Sequence, residues 1–314
     1  MPKYQSKRNF GFGKKMGFAG KNALRLTFGK KFQTVSSHAK RWKQAVSYFK
    51  DQGIKDAREI DKPCLEEYGC YLYMLTVAGD MSVSYAQNIL SSCNVVLTCL
   101  REDYKVTVSP ARIIGNRSYV REIPPQMNRE KVSSAARELR FRGHERSACT
   151  IELCRDLGLR IRESVLLNCT RAHKEGIKKG YIQITRGTKG GRGNYIARKV
   201  PVHSEKLVSL ERAAKLQKKS ENLIEPGYNL VQHMKHVRNT FNSVKANHDL
   251  AKIHDLRAAY ACERYRDITR SDAPCVAGQR IPDKDLDRHA RAIISRELGH
   301  ERIDVTSAYV GGRK

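Results

Sequence analysis

Several features are missing from this sequence of 314 residues, and each absence narrows the kind of protein it can be. No apolar run reaches the roughly 18 residues that a membrane-spanning helix needs, and the segment 70–78 is too short. The N-terminus lacks the apolar stretch of a signal peptide. The nine cysteines form no C-x-x-C pair, which argues against a disulfide framework and against a zinc site. We therefore expect a soluble, cytoplasmic protein with reduced thiols, no membrane partner, no metal and no cofactor.

Acidic residues are also scarce, because 32 Asp and Glu face 60 Lys and Arg and leave a formal net charge of +28. The first fifty residues contain no acidic residue at all. Such a charge requires a polyanionic partner, and nucleic acid is the usual one. The candidate contact residues in this region are Lys14, Lys15, Lys30, Lys31, Lys40 and Arg41.

Residues 1–34 interleave phenylalanines with glycines and basic residues. That composition offers little apolar surface to bury, so we predict a basic, flexible arm. Two interpretations remain open: the arm binds nucleic acid, or it is a solubilising tail with incidental affinity.

The length suggests two domains. In residues 35–104, apolar positions recur at three- and four-residue spacing, as from Trp42 to Phe49, which predicts a helical domain. The prolines in 105–127 predict a linker. Residues 128–314 then form a larger domain, and the whole chain is expected to be mainly α with a small β-hairpin or sheet.

Two pairs of polar residues with a spacing of three occur in the larger domain. Arg160 and Glu163 lie in GLRIRESVLLN, and His254 and Arg257 lie in IHDLRAAYACERY. Each pair would share one helical face. Taken alone, each is typical of an exposed helix with ion pairs, so neither pair indicates a site by itself.

A β-hairpin is predicted for residues 181–202, YIQITRGTKGGRGNYIARKVPV. Ile182 and Ile184 alternate with polar residues, and four glycines follow before the pattern returns. Lys189 lies at the glycine-rich tip. No G-K-[ST] ends the run, which excludes a P-loop. A basic loop that only touches a phosphate backbone is the alternative to a chemical role.

The C-terminal segment LGHERIDVTSAYV places His300 and Tyr309 nine residues apart. On one continuous helix the two side chains would lie on opposite faces, at about 100° per residue. Gly299 can end a helix, and Asp304 can cap a new one that begins at Val305. A helix, a turn and a short second helix could therefore direct both side chains to one point; the alternative is an ordinary surface helix end.

Taken in order, these residues resemble the tyrosine recombinase family, which includes phage and integrative-element integrases and the Xer-type resolvases. The resemblance covers about residues 128–314. It implies an α+β catalytic domain there and a helical core-binding domain before it. The stretch between Arg257 and His300 is longer than is usual in the family and adds a loop at 267–287. The chain also ends five residues after Tyr309, which leaves open how protomers would communicate.

The resemblance implies a role for each residue. Arg160 and Arg257 would clamp the phosphate oxygens, because guanidinium groups are permanently charged and planar. Tyr309 would be the nucleophile that forms a 3′-phosphotyrosine. His300 would donate a hydrogen bond to the phosphate, and Lys189 would be the general acid. His254 would be the general base or a hydrogen-bond partner, and Glu163 would orient Arg160.

The resulting hypothesis is a site-specific integrase that cleaves and rejoins double-stranded DNA, and integrates or excises a phage or other mobile element. It would act as a homotetramer on two DNA sites, with accessory DNA-bending proteins as candidate partners. The alternatives are an Xer-type resolvase, a type IB-like topoisomerase, or a non-catalytic DNA-binding protein.

Overall fold

The computed structural model describes residues 7–188, 198–218 and 220–312. The chain divides into two compact units, Met1–Ser118 and Tyr119–Lys314, which are described separately below. The described chain is mostly helical, and its strands form one two-stranded antiparallel sheet, which confirms the predicted fold class. Within these ranges, no helix is both long and apolar enough to cross a bilayer.

The first unit consists of helices around one apolar core. In chain order they are α1 (Met16–Phe28), α2 (Phe32–Asp51), α3 (Lys62–Val77), α4 (Val83–Arg101) and α5 (Pro110–Ile114), with 3₁₀ turns at Arg8–Gly11 and Ala57–Glu59. Trp42 on α2 is fully buried, and its Nε1 donates to the Met16 carbonyl oxygen at 3.1 Å. This bond and the packing around it join α1 to α2.

The structure differs from the expected flexible arm at residues 1–34, because α1 belongs to the core of the first unit. Met16, Ala19, Ala23 and Leu24 recur at helical spacing and are buried. Gly20 lies against the Trp42 ring, where a β-carbon would clash. The averaged composition is polar, but these few small apolar residues occupy one face and let α1 pack closely.

The structure also differs from the linker that was predicted for residues 105–127. Val106 and Ile114 are buried in the core of the first unit. Pro110 begins α5 instead of breaking the chain, since proline is tolerated in the first helical turn. The last part of the segment belongs to the second unit, where the Arg121 backbone N–H donates to the Ser307 carbonyl oxygen at 2.9 Å.

The second unit is larger and contains the sheet. In chain order its elements are α6 (Arg129–Phe141), α7 (Glu145–Leu157), α8 (Ile161–Val165), α9 (Cys169–Lys179), β1 (Tyr181–Ile184), β2 (Arg198–Pro201), α10 (Ser204–Gln217), α11 (Leu230–Val244), α12 (Asp255–Thr269), α13 (Pro274–Ala277), α14 (Lys284–Glu297) and α15 (Ser307–Val310), with 3₁₀ turns at Lys245–His248 and Ile303–Thr306.

The two strands pair antiparallel, with Ile184 opposite Arg198 and Tyr181 opposite Pro201. Ile182 and Ile184 are buried, as their alternation predicts. Lys189, predicted at the hairpin tip, lies in the segment 189–197, outside the described residues.

Helix α12 lies at the centre of the second unit and packs against α7, α14 and α15. Ala258 and Ala261 are buried on it and permit close approach. Gly158, with φ of +59°, ends α7 directly against the ring of Tyr260, where any β-carbon would overlap the ring. This contact brings the end of α7 to the N-terminal turn of α12, where the candidate active site lies.

Candidate active site

Arg160 and Glu163 lie at the start of the short helix α8. The Glu163 carboxylate accepts a hydrogen bond from the Arg160 backbone N–H at 2.7 Å and another from Arg160 Nη1 at 2.6 Å. Glu163 is completely buried, whereas the Arg160 side chain remains 23% exposed. The carboxylate therefore fixes the direction of a guanidinium group that still reaches solvent. A role of this pair in catalysis stays a prediction.

Arg257 is held in the interior by α12. Its Nη1 donates to the Gly158 carbonyl oxygen and its Nη2 to the Leu298 carbonyl oxygen. Its Nε lies 3.4 Å from the Tyr309 hydroxyl, and its Nη1 lies 3.7 Å from Glu163. Burial lowers the pKa of Arg257 to about 10, assisted by the charges of Arg198 and Arg160, so it remains a cation at neutral pH.

The chain between His300 and Tyr309 is interrupted, as predicted. Helix α14 ends at Glu297, and Gly299 with φ of +66° turns the chain so that His300 leaves the helix direction. The predicted cap differs in detail: Asp304 lies inside the 3₁₀ turn Ile303–Thr306, and α15 begins at Ser307.

This interruption directs both side chains to one point. His300 Nε2 lies 3.3 Å from the Tyr309 hydroxyl. The Tyr309 side chain is buried apart from a small exposed fraction of 6%. The short connection therefore gives the hydroxyl two nitrogen neighbours, on His300 and Arg257.

His300 is surrounded by donors. Its Nε2 lies 3.3 Å from Arg160 Nη2 and 3.4 Å from Arg257 Nη2. A guanidinium group can only donate, so these contacts assign Nε2 as an acceptor and place the ring proton on Nδ1. Burial lowers the pKa of His300 to about 4, and the charges of Arg257, Arg160 and Arg198 act in the same direction. His300 is therefore neutral at pH 7.

His254 precedes α12, and its ring centroid lies 6.0 Å from that of Tyr309. Burial lowers its pKa as well, followed by the charge of Arg257. The structure thus brings Arg160, Glu163, His254, Arg257, His300 and Tyr309 together, while the position of Lys189 remains a prediction.

Arg198 is a site residue that the sequence reasoning missed. It begins β2, is 5% exposed, and its Nη1 lies 2.7 Å from Glu163. The missed signal was its phase in the strand, since Arg198 points to the same side as the buried Val200. A charged residue at an inward position of a strand indicates a buried partner.

The predicted DNA-contact residues lie in the first unit. Lys15 and Lys40 line a groove of about 1000 Å³ between α1 and α2, which we call the basic groove. Its other basic lining residues are Lys21, Arg25, Lys43 and Lys50, and none of the described lining residues is acidic. Three further candidates are exposed and lie close in the sequence to residues of the basic groove, namely Lys14, Lys30 and Lys31. The last candidate, Arg41, lies 3.5 Å from the Ser92 hydroxyl.

Comparison with known proteins agrees with this geometry. Residues 118–263 match the family model described as "Integrase". The match includes Arg160 and Arg257 but ends before His300 and Tyr309, which the fold brings to the same point. No protein among those with curated functions matches the sequence significantly.

Solved integrase structures share the fold. A lambda integrase dimer bound to a COC′ core site has 16% sequence identity and a TM-score of 0.58, covering 93% of this chain and 75% of that chain. The Tn1549 transposon integrase in complex with transposon right end DNA has 12% identity and a TM-score of 0.56, covering 93% and 94%. A lambda integrase tetramer bound to a Holliday junction has 15% identity and a TM-score of 0.53, covering 89% and 72%.

The family match, the shared fold and the grouped arginine, histidine and tyrosine residues agree with one another. Residues 118–263 therefore resemble the integrase family, and the chain shares the fold of solved integrases.

Proposed function

We propose that the chain is a site-specific DNA strand transferase in which Tyr309 attacks the scissile phosphate. The observation that carries this proposal is the position of the Tyr309 hydroxyl, 3.4 Å from Arg257 Nε and 3.3 Å from His300 Nε2. The new bond joins the tyrosine oxygen to the 3′-phosphate, and the 5′-oxygen of the next nucleotide leaves. Rejoining reverses these steps and requires no nucleotide cofactor, because the phosphodiester energy is kept in the covalent link.

Two arginines supply the positive charge that the attack requires. Negative charge grows on the phosphate oxygens as the fifth bond forms, and fixed cations stabilise it most when they are already oriented. Glu163 fixes Arg160, and the Gly158 and Leu298 carbonyl oxygens fix Arg257. In this arrangement the Arg160 side chain, which is 23% exposed, can meet a phosphate that enters from solvent, and the buried Arg257 adds a second positive charge.

Two proton transfers accompany each cleavage. The Tyr309 proton requires a neutral acceptor, and both imidazoles have a lowered pKa. His300 Nε2 is in direct contact with the hydroxyl, and His254 is the second candidate. The leaving 5′-oxygen requires a proton donor, and Lys189 is proposed for this role from its place in the sequence pattern.

DNA is the proposed substrate of both units. The net charge of +28 suits a polyanion, and the basic groove carries six lysine and arginine side chains. A relative with this fold forms a tetramer on a Holliday junction. By analogy we propose that four copies of this chain bind two DNA sites, and that the exchange integrates or excises a phage or other mobile element. Strand exchange between two sites would distinguish this activity from that of a topoisomerase.

The experiment is covalent trapping on a nicked DNA substrate that loses its leaving strand after cleavage. The wild type should form a protein–DNA adduct that survives denaturant, and Tyr309→Phe should bind DNA but form none. Tyr265→Phe is a matched control, because it also removes a hydroxyl from a buried tyrosine, one bonded to Asp287 at 2.7 Å, and it should keep the adduct. An adduct with Tyr309→Phe would assign the nucleophile to another residue and refute the proposal.

A further inference from the structure

Arg198 is buried beside the site, and within the described residues its polar partners do not include Tyr309. Its side chain is 4% exposed and makes polar contacts with three separate segments. Nη1 lies 2.7 Å from Glu163 Oε2, Nε donates to the Glu297 carbonyl oxygen at 2.6 Å, and Nη2 donates to the Gly158 carbonyl oxygen at 3.4 Å.

These three partners also hold the residues proposed to act on DNA. Glu163 orients Arg160, and Gly158 accepts from Arg257. Glu297 begins the turn that leads to His300. Arg198 therefore contacts the supports of Arg160, Arg257 and His300 at once, by an ion pair with Glu163 and by hydrogen bonds to the Glu297 and Gly158 carbonyl oxygens, although its own strand carries none of them.

A close backbone approach adds to this connection. Gly299, which immediately precedes His300, lies against the aliphatic part of Arg198, and a β-carbon built on Gly299 would meet Arg198 Cδ at 2.9 Å. The glycine is also required by its φ of +66°. The turn before His300 thus packs directly on the Arg198 side chain.

We propose that Arg198 is a positioning residue for the strand-transfer reaction, which fixes the Glu163 carboxylate and the Glu297–His300 turn relative to each other. Through them it sets the directions of Arg160 and His300 around the Tyr309 hydroxyl. This inference rests on the proposed function, because it concerns the geometry of the same site.

The geometry requires arginine at this position. The rigid, planar guanidinium group presents donors in several directions and meets a carboxylate and two carbonyl oxygens together. A lysine ammonium also has three donors, but they lie on one nitrogen and cannot span acceptors that meet three separate nitrogens of Arg198. Without Arg198, Glu163 Oε2 keeps the Arg160 backbone N–H at 2.7 Å but loses its ion pair, and the carboxylate can shift toward Arg257, whose Nη1 is 3.7 Å away.

The first experiment measures single-turnover cleavage of the nicked substrate by Arg198→Met and Arg198→Lys, together with the DNA dissociation constant. We expect Arg198→Met to cleave roughly 10²-fold more slowly, the loss typical of a catalytic group misplaced by about 1 Å, with DNA affinity unchanged within about twofold. Arg198→Lys should keep the charge and still lose at least about tenfold in rate, because it cannot bridge the segments.

Arg155→Met is the matched control. Arg155 is likewise buried, lies 2.8 Å from Glu263 and donates to the Met127 carbonyl oxygen at 2.7 Å, but none of these partners belongs to the site. Its loss should lower the melting temperature without slowing cleavage at a temperature where the protein is folded. Equal rate losses in Arg155→Met and Arg198→Met would reduce Arg198 to a structural residue. If Arg198→Met does not fold, wild-type cleavage by Arg198→Lys would overturn the proposal.

A second readout does not depend on activity. Within the described residues, the charged and titratable groups that face His300 are Arg160, Arg257, Arg198, Glu163 and Tyr309. Removing the Arg198 charge should raise the His300 titration midpoint from about 4, as followed by the imidazole ¹⁵N shifts, and Arg198→Lys should raise it less. An unchanged midpoint in Arg198→Met would mean that Arg198 does not act on the His300 environment.

The two proposals fail separately. An adduct with Tyr309→Phe would refute the proposed function. Normal trapping by the wild type, no trapping by Tyr309→Phe and wild-type cleavage by Arg198→Met would refute only the positioning role.

Discussion

Replacing Glu163 by Gln tests whether one buried carboxylate holds the arginines of the site. Glu163 is fully buried, with Arg160 Nη1 at 2.6 Å, Arg198 Nη1 at 2.7 Å and Arg257 Nη1 at 3.7 Å. Arg198 and Arg257 are themselves only 4% and 1% exposed. Gln keeps the shape of the side chain but removes the negative charge that, within the described residues, pairs with all three cations.

The expected loss of stability in Glu163→Gln follows from the burial of Glu163. Removing one partner of a buried ion pair costs about 3–5 kcal/mol, because the remaining charge is left without compensation. For a unit of this size each kcal/mol corresponds to about 2–4 °C, so the melting temperature should fall by about 6–20 °C. The assay is thermal unfolding at pH 7, followed by circular dichroism.

The stabilisation that Glu163 provides should depend on pH in a definite direction. Burial alone would raise the pKa of Glu163, but the charges of Arg198, Arg257 and Arg160 outweigh it and hold the pKa below its ordinary value. The stabilisation is therefore fully present above the unfolded pKa of about 4.3 and is lost as the pH falls through the lower folded value. The difference between wild type and Glu163→Gln should be constant near neutrality and shrink in acid.

Glu138→Gln is the control, since Glu138 also pairs with a cation, Arg142, and contacts His248, but at the surface. Its effect should be much smaller, because exposed pairs contribute little. If Glu163→Gln lowered the melting temperature no more than Glu138→Gln does, the Glu163 carboxylate would not be what organises the site.

Three further predictions concern the reaction and DNA binding. Lys189→Ala should lose roughly 10²- to 10⁴-fold in cleavage rate but approach the wild-type rate when sulfur replaces the bridging 5′-oxygen, because a thiolate leaves without a proton. The sulfur substitution should not rescue Arg160→Ala. An equal defect of Lys189→Ala on the oxygen and sulfur substrates would exclude Lys189 as the general acid. Cleavage should proceed in excess EDTA, since Arg160 and Arg257 supply positive charge at the site; an absolute Mg²⁺ requirement in the cleavage step would contradict this. Replacing Lys15 and Lys40 of the basic groove by Gln should lower the log–log salt slope of DNA binding by about 1.8, twice the 0.9 expected per phosphate contact, whereas an unchanged slope would exclude DNA from the groove.

The sequence by itself determined the residue types of the site and the local turns that present them. Glu163 reaches back to Arg160 because capping interactions span three residues. The chain breaks between His300 and Tyr309 because Gly299 can adopt a positive φ. Each signal lies within a few residues, so periodicity and spacing were sufficient to find it.

The average composition of a segment gave the wrong prediction where a few residues decide whether that segment packs into the core. Residues 1–34 are basic and rich in glycine, but α1 is fixed by a narrow apolar face and by Gly20 packing on Trp42. Pro110 suggested a linker, yet it starts a helix whose Ile114 is buried. Burial of a small face depends on a partner surface that is distant in sequence.

Only the tertiary structure decided what holds the arginines of the candidate site. Arg257 donates to carbonyl oxygens of Gly158 and Leu298, which are 99 and 41 residues away. Arg198 joins Glu163 to the turn before His300. These contacts depend on the packing of α7 and α14 on α12 and of β2 on α14. No local pattern encodes a hydrogen bond to a backbone carbonyl that packing brings within reach.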